Sequence, residues 1–372
     1  MNEQTLDIKN RIVSIDALRG LAMFLILSTQ IGGAPIFRTF IKLCGENFAN
    51  AVSGQMTWDT QSVIFLNISQ SIFVFVVGLV IPFSLNNRLL RTDKKRIYLH
   101  VVKRALILFL LGLIAGGKLF NLQLATLPVY NNVLEYISIS YLFCAILVLN
   151  TKTLSQYIWT GGLLLLVWLI FLFIPAPGWH GDIYSTEMNI GIYIENIVLG
   201  QHGSHFGSWT GVLNTIGHIS TMLLGILMSK IIFGSRSKVD KAKLLFICSL
   251  VMYLYGWIWG HFFPIMRNFM TSSFVLETCG IATLLLASFF LIIDVWGYSK
   301  WAFPFLVFGV NSIAIYMMAH LFDFRLIGNI FVGGFSSLFA LNVQDFIQAV
   351  AAMVVMWLIM YWMYLKKTFI KI

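Results

Sequence analysis

Apolar residues along this chain gather into runs of about twenty, separated by short segments that carry most of the charged residues. An α-helix needs about 20 consecutive apolar residues to cross the roughly 30 Å hydrocarbon core of a bilayer. The pattern predicts ten such helices, at 13–31, 63–85, 101–117, 132–149, 157–175, 212–233, 243–262, 272–293, 303–322 and 346–365. We therefore expect an all-α fold, a polytopic membrane helical bundle that forms one domain over 1–372.

One further apolar segment, 326–341, is shorter than these runs and rich in glycine. Gly328, Gly333 and Gly334 lie within it, and a glycine destabilises a helix interior by about 1 kcal/mol relative to alanine. We expect this segment to lie at the membrane interface or to form a re-entrant loop rather than to cross.

Lysine and arginine are concentrated around two of the predicted loops. The region after the second span holds Arg88, Arg91, Lys94, Lys95, Arg96, Lys103 and Arg104, and the region after the sixth holds Lys230, Arg236, Lys238, Lys241 and Lys243. By the positive-inside rule both loops lie in the cytoplasm. Because the number of spans is even, we expect both termini there too, in a multi-pass protein of the cell inner membrane. The first ten residues are polar and no small-residue cleavage site follows, so we expect no removable signal peptide.

Composition agrees with a membrane protein and argues against several other classes. Hydrophobic residues make up 59% of the chain and charged residues 11%, against roughly 45–50% and 25% in soluble domains. The net charge of +10 follows from the basic loops. No basic face is interleaved with exposed aromatic residues, so we expect no nucleic-acid partner. The four cysteines form no zinc or redox motif, and the nearby pair His202 and His205 has no supporting acid or cysteine, so we expect no metal ion.

A charged pair lies at the start of the first predicted span. Asp16 and Arg19 are three residues apart, a spacing that places both on one face of a helix. Charged residues at the mouth of an apolar helix are costly unless they have a partner. Two interpretations stay open: a structural pair near the cytoplasmic interface, or a site for a bound ligand.

Five segments in order along nearly the whole chain carry motifs. They are 14–20, which reads Ser-Ile-Asp-Ala-Leu-Arg-Gly; 73–78 with 81–85; 211–215 with 223–225; 271–276 with Gly280 and Asp294; and 308–312 with Tyr316. In this order they resemble the bacterial branch of the heparan-α-glucosaminide N-acetyltransferase family of transmembrane acyltransferases.

The resemblance implies an acyl transfer across the bilayer. Family enzymes move an acetyl group from cytosolic acetyl-CoA to an amino sugar on the far side of the membrane. We therefore expect acetyl-CoA as co-substrate and an amino sugar or another glycan as acceptor. The residues that the resemblance assigns to acetyl-CoA are Asp16, Arg19, Arg267 and Asn311. The sequence leaves open whether the chain forms a homo-oligomer.

The chain departs from the family pattern mainly on the external side. The histidine that transfers the proton in the family aligns with Thr57 or Trp58, and residues 1–99 contain no histidine. The other departures are Asn67 for an aspartate, Gln70 and Ser71 for Phe-Pro, 208–211 for an acidic segment, and Arg267 and Met270 for a lysine and a tryptophan.

Acyl transfer to an amine or a hydroxyl needs a base that accepts the proton. Two residues inside predicted spans are candidates for this catalytic role: His218 in the sixth span and Glu135 in the fourth. Each has an alternative interpretation, because a polar side chain in a membrane helix often serves as a hydrogen-bonding partner between helices.

A polar stripe is predicted on the ninth span. Ser312, Tyr316 and His320 lie at four-residue steps and therefore share one helix face. The stripe resembles a ligand-facing helix of the family, and it equally fits a set of hydrogen bonds between helices.

Three functions remain as alternatives. The first is the acyltransferase, with an acceptor that differs from the family's. The second is a catalytically inactive relative that acts as a membrane binding or accessory protein. The third is a small-molecule transporter, in which the acids within the spans, Glu135 and Glu277, carry the solute.

Overall fold

The computed structural model describes residues 12–29, 33–45, 68–117, 119, 127–203 and 211–369. Within these residues the chain forms fourteen α-helices and no strand. In chain order they are α1 (Val13–Thr29), α2 (Ile36–Leu43), α3 (Ser69–Leu89), α4 (Lys94–Ala115), α5 (Val133–Asn150), α6 (Thr153–Phe173), α7 (Ile190–Val198), α8 (Gly211–Ile232), α9 (Lys238–Trp259), α10 (Ser272–Phe289), α11 (Phe303–Val310), α12 (Ser312–Leu321), α13 (Phe324–Ser336) and α14 (Leu341–Leu365).

Each predicted span has a helix, or in one case a bent helix pair, at its place. Eight helices of the described chain are long and apolar enough to cross a membrane: α3, α4, α5, α6, α8, α9, α10 continued to Val295, and α14. The bent pair Lys300–Val310 and Ser312–Leu321 adds a ninth if it forms one span. α1 has 17 residues, at the lower end of the roughly 17–25 that can cross. The predicted end of that span, 30–31, lies outside the described residues. The prediction of an all-α polytopic membrane bundle is confirmed.

The glycine-rich segment forms α13, a helix of 13 residues. At about 1.5 Å per residue it is about 20 Å long, which is too short to cross the hydrocarbon core. It packs along α14. The prediction that this segment does not cross the membrane as a helix of its own agrees with its length.

The centre of the bundle is α8. It packs against α3, α5, α6 and α10. In the most apolar stretch of α8, 83% of the residues are buried within the protein, compared with 28% in α4 and α9. Glycines allow the close contact with α3. A Cβ atom on Gly78 would lie 2.1 Å from the carbonyl oxygen of Met222, and one on Gly225 would lie 2.2 Å from that of Phe75. Small residues permit this approach of two backbones in membrane helices.

The ninth predicted span is broken at Asn311, where the backbone leaves the helical region (φ −122°, ψ 38°) and the helix bends by 64°. The break removes the regular partners of the last carbonyl groups of α11. Arg19 of α1 supplies one replacement, because its Nε donates to the carbonyl oxygen of Gly309 at 2.6 Å. The side chain of Asn311 in turn donates to the carbonyl oxygen of Thr368, beyond α14, at 3.0 Å.

Contacts between helix ends define two faces of the bundle. α4 begins beside the end of α5, where the Tyr98 hydroxyl donates to Asn150 Oδ1 at 2.8 Å. α6 begins beside the end of α8, where Lys230 Nζ donates to Gln156 Oε1 at 2.6 Å. These ends carry the basic loops, so we call this the inner face, the one predicted to be cytoplasmic, and we call the opposite one the outer face.

Candidate functional site

Polar side chains gather near the outer face where α3, α5 and α8 meet the connection between α9 and α10. We call them the histidine cluster; its members are Gln70, Tyr136, Asn214, His218, Arg267 and Asn268. The cluster joins segments far apart in the chain because α3 and α8 run side by side in the same direction. Gln70 meets His218 near the start of this contact, and Phe75 meets Gly225 further along it.

Hydrogen bonds determine which nitrogen of the fully buried His218 is basic. Its Nδ1 lies 2.8 Å from the carbonyl oxygen of Asn214, which can only accept, so Nδ1 carries the proton. Its Nε2 lies 3.0 Å from the amide nitrogen of Gln70, which can only donate. The Gln70 oxygen accepts from the Arg267 guanidinium at 3.4 Å. Donors and acceptors therefore agree from Arg267 to His218, and Nε2 presents a lone pair.

Two more contacts hold the imidazole in place. The ring of Tyr136 stacks on it, with ring centroids 4.9 Å apart and planes 16° from parallel. Asn214 is itself anchored, because its side chain donates to the carbonyl oxygen of Asn268 at 2.7 Å. The ring of His218 is thus held by stacking on one face and by hydrogen bonds at both nitrogens.

Arg267 supplies the positive charge of the cluster. It lies between α9 and α10, outside the membrane-spanning helices, and it is partly buried. Burial lowers its pKa to about 10. At that pKa the guanidinium still carries its charge at neutral pH. The cluster therefore combines a neutral base with a permanent cation.

Glu135, the second predicted base, holds a turn of the backbone. It is buried at the start of α5, and its Oε2 accepts from the backbone N–H of Tyr130 at 2.5 Å. Tyr130 has φ +60°, an uncommon conformation for a residue other than glycine, so this bond helps to maintain a strained turn. Glu135 reaches the cluster only indirectly, because the Tyr136 hydroxyl donates to the carbonyl oxygen of Tyr130.

Glu195 of α7 also holds backbone N–H groups in place, at the start of α8. Its Oε2 accepts from the backbone N–H groups of Gly211 and Val212, at 2.6 and 2.9 Å. These are among the unpaired amides that every helix start leaves, and the helix dipole favours a carboxylate there. Tyr130 lies near both acids. Burial raises the pKa of its phenol, and the charges of Glu135 and Glu195 raise it further.

One residue of the predicted stripe on α12, Tyr316, contacts another part of the bundle. The Tyr316 hydroxyl donates to Asn132 Oδ1 at 3.0 Å, and the same oxygen accepts from the backbone N–H of Leu134 at the start of α5. His320 donates through Nδ1 to the carbonyl oxygen of Tyr316 at 2.9 Å. Ser312 is buried at the start of α12.

The four residues assigned to acetyl-CoA fall into two groups. Asp16 and Arg19 form an ion pair at 2.7 Å, and Arg19 also binds the carbonyl group of Gly309, two residues before Asn311. These residues surround the break in the ninth span. Arg267 instead belongs to the histidine cluster, where it contacts Gln70.

The two acids of the transporter hypothesis lie in different helix contacts. Glu135 faces α4, where a Cβ atom on Gly112 would lie 2.6 Å from its Cγ. Glu277 is buried against α9, where a Cβ atom on Gly256 would lie 2.6 Å from its backbone nitrogen. The described residues do not bring the two together.

Several predicted positions lie outside the described residues: Thr57, Trp58, Asn67, His205 and 208–210. Of the described positions that differ from the motifs of the resembled family, Gln70 is a partner of His218, and Gly211 donates its backbone N–H to Glu195. Among the residues that the structure describes, no group of three or more histidine, cysteine, aspartate or glutamate side chains is arranged to hold a metal ion.

Several residues of this region are not predictable from the sequence. Gln70 differs from a motif of the resembled family, but no local pattern indicates its partner, which lies 148 residues away. Glu195 was missed because 176–211 reads as a loop, although the structure forms α7 within it. The available signal for Glu195 was an acid within a short apolar stretch.

No protein-family model matches this chain, and a search of curated proteins gives no match. The resemblance to transmembrane acetyltransferases therefore remains a hypothesis based on its motifs.

Proposed function

We propose that this protein is a membrane-embedded acyltransferase in which His218 accepts a proton and Arg267 stabilises negative charge. The reaction class, acetyl transfer from acetyl-CoA to an amino sugar or another glycan, comes from the resemblance. The observation that carries the residue assignment is the hydrogen-bond pattern that leaves the Nε2 lone pair of His218 as an acceptor.

In this proposal the acceptor amine or hydroxyl takes the place of the Gln70 amide at His218 Nε2. The nucleophile attacks the thioester carbonyl carbon of acetyl-CoA, and its proton passes to Nε2. The bond from that carbon to sulfur then breaks. The departing CoA thiolate takes the proton back from the imidazolium, which restores neutral His218.

Arg267 has a separate task in the same step. Attack on the thioester places negative charge on the carbonyl oxygen, and a fixed cation in a site with little water stabilises that charge strongly. Before the acceptor binds, Gln70 links the guanidinium to the imidazole, so base and cation lie one side chain apart. The Asn214 carbonyl group keeps Nδ1 protonated throughout, so that Nε2 is the nitrogen that accepts and returns the proton.

Replacement of His218 tests the proposal. Purified protein would be given radiolabelled acetyl-CoA with a panel of hexosamines and glycan fragments. We expect His218→Gln to lower the turnover number by about 10²–10⁴-fold, the usual contribution of a general base. Calorimetry on the same sample would measure acetyl-CoA binding, which the variant should retain because His218 acts on the acceptor.

His261→Gln is the matched control. His261 also donates through Nδ1 to the carbonyl group four residues earlier, at 3.0 Å, but it is exposed. The control should keep full activity. Full turnover by His218→Gln would reject the base assignment, and absence of acetyl-CoA binding by the unmodified protein would reject the enzyme as a whole.

One observation favours a second candidate, a relative that binds ligand without turnover. His218 is completely buried, and Gln70 occupies its lone pair. Acetyl-CoA binding without transfer to any acceptor would support this candidate. Thr57→His or Trp58→His would place a histidine where the resembled family has its base. We expect neither variant to gain acetyl transfer to glucosamine, because other family residues are also replaced.

A further inference from the structure

A cleft of about 610 Å³ lies at the inner face, between the ends of α3, α5 and α8 and the start of α6. One wall is formed by the stacked rings of Phe83 and Phe233, with centroids 4.9 Å apart. Of the described residues that line the cleft, Lys152 and Lys230 are basic and none is acidic. The cleft thus combines an apolar wall with uncompensated positive charge.

Lys230 is the central residue of this cleft. It lies in the last turn of α8 and is partly buried. Its ammonium donates to Gln156 Oε1 at 2.6 Å, and this neutral oxygen is its hydrogen-bond partner among the described residues. The Gln156 side chain is buried and is fixed by a second bond, from Nε2 to the carbonyl oxygen of Thr151 at 3.3 Å. An ammonium has three N–H donors, so two remain for a ligand.

The start of α6 adds to the positive character of the cleft. Lys152 precedes the first turn of this helix, and its side chain makes no capping bond. The first backbone N–H groups of a helix carry partial positive charge. Lys152 and Lys230 therefore act together with these groups on whatever occupies the cleft.

We propose that this cleft binds a phosphoryl group carried by an amphipathic ligand. The phosphate contacts Lys230 and Lys152, and the apolar part of the ligand packs on Phe83 and Phe233. Two sources offer this chemistry at the inner face: the headgroup of an anionic phospholipid and a soluble phosphate ester. The proposal stands on the cleft alone and holds whether or not the protein transfers acyl groups.

Binding measurements with two probes test this site. The purified full chain in detergent would be titrated with phosphatidylglycerol, followed by native mass spectrometry, and separately with inorganic pyrophosphate, followed by calorimetry. Lys230→Gln removes the charge. Gln156→Glu keeps the shape of the side chain but places a carboxylate beside the Lys230 ammonium, which offsets its positive charge. We expect each variant to weaken binding of the responsive probe by about tenfold, the effect of losing one charge-assisted bond.

Lys238→Gln is the matched control, because Lys238 is also a lysine of the inner face but donates to the carbonyl oxygen of Asp294 outside the cleft, at 2.9 Å. The affinity of the Lys238→Gln variant for both probes should equal that of the unmodified protein. Loss confined to phosphatidylglycerol identifies a lipid ligand, and loss confined to pyrophosphate identifies a soluble one. Absence of binding, unchanged affinity in both cleft variants, or an equal loss in Lys238→Gln would overturn the proposal.

Discussion

At the scale of single residues, buried carboxylates near the outer face hold backbone amides in place. Glu135 accepts from the N–H of Tyr130, and Glu195 accepts from the N–H groups of Gly211 and Val212. A buried amide that loses its acceptor costs about 1–3 kcal/mol, whereas an average hydrogen bond contributes about 0.5–1.5 kcal/mol. Glu135 therefore stabilises the turn before α5, and Glu195 stabilises the first residues of α8, the two helices that carry Tyr136 and His218.

Glu195→Ala should lower the stability of the protein. It leaves two backbone N–H groups at the start of α8 without their acceptor, so we expect a loss of about 1–3 kcal/mol. Thermal unfolding of the detergent-purified protein measures the change. Glu187→Ala is the control, because Glu187 is exposed in the same connection and should change stability by less than about 0.5 kcal/mol. Equal melting temperatures for the two variants would contradict the capping role.

Residue types in the sequence indicate which side chains are unusual, but not which of them meet. His218 and Arg267 stand out because polar groups are costly in or beside apolar helices. Their connection through Gln70 depends on the parallel packing of α3 and α8, which no local pattern encodes. The resemblance groups Arg267 with Asp16 and Arg19, whereas in the structure Arg267 contacts Gln70.

At the scale of helices, the bend at Asn311 depends on an arginine from another helix. Arg19 donates to the carbonyl group of Gly309 and to Asp16, and both it and Asp16 are mostly buried, with 21% and 14% of their side chains exposed. An unpaired carbonyl group in a membrane interior costs several kcal/mol, so a broken helix needs such a donor. This contact gives the first motif of the chain a structural role.

Arg19→Met should therefore destabilise the bundle by about 1.5–3 kcal/mol, the value of a hydrogen bond to a charged group. Thermal unfolding would measure the loss, with Arg91→Met as the control, since Arg91 is exposed. Calorimetry with acetyl-CoA on the same variants separates the two interpretations of the pair. Normal stability together with loss of acetyl-CoA affinity would contradict the structural role and favour a ligand site.

Hydropathy predicts the apolar part of each long helix and misses its polar ends. α4 begins at Lys94 rather than at 101, and α9 begins at Lys238 rather than at 243, because both helices extend beyond the apolar run as polar turns. The short helices α2 and α7 lie in stretches expected to be loops. The sequence signals the break at Asn311 only weakly, because neither a single glycine, Gly309, nor an asparagine in an apolar run ends a helix by itself.

At the scale of the whole molecule, the buried α8 and its neighbours form a core, and helices with more exposed surfaces pack around it. In the most apolar stretches of α4 and α14, only 28% and 33% of the residues are buried within the protein. The basic loops attach to the ends of these helices at one face. If that face is cytoplasmic, the histidine cluster lies toward the external side and the cleft around Lys230 lies toward the cytoplasm.

Reporter fusions test this orientation. A fluorescent protein that folds only in the cytoplasm would be fused after Asn86, after Leu338 and after Ile372. We expect signal at Asn86 and Ile372 and none at Leu338, because α14 has 25 residues and crosses the membrane between the last two positions. α13 has 13 residues and should leave this alternation unchanged. An external location of Ile372 together with a cytoplasmic Asn86 would require an odd number of crossings between them, and would show that 326–341 crosses or that the bent pair does not.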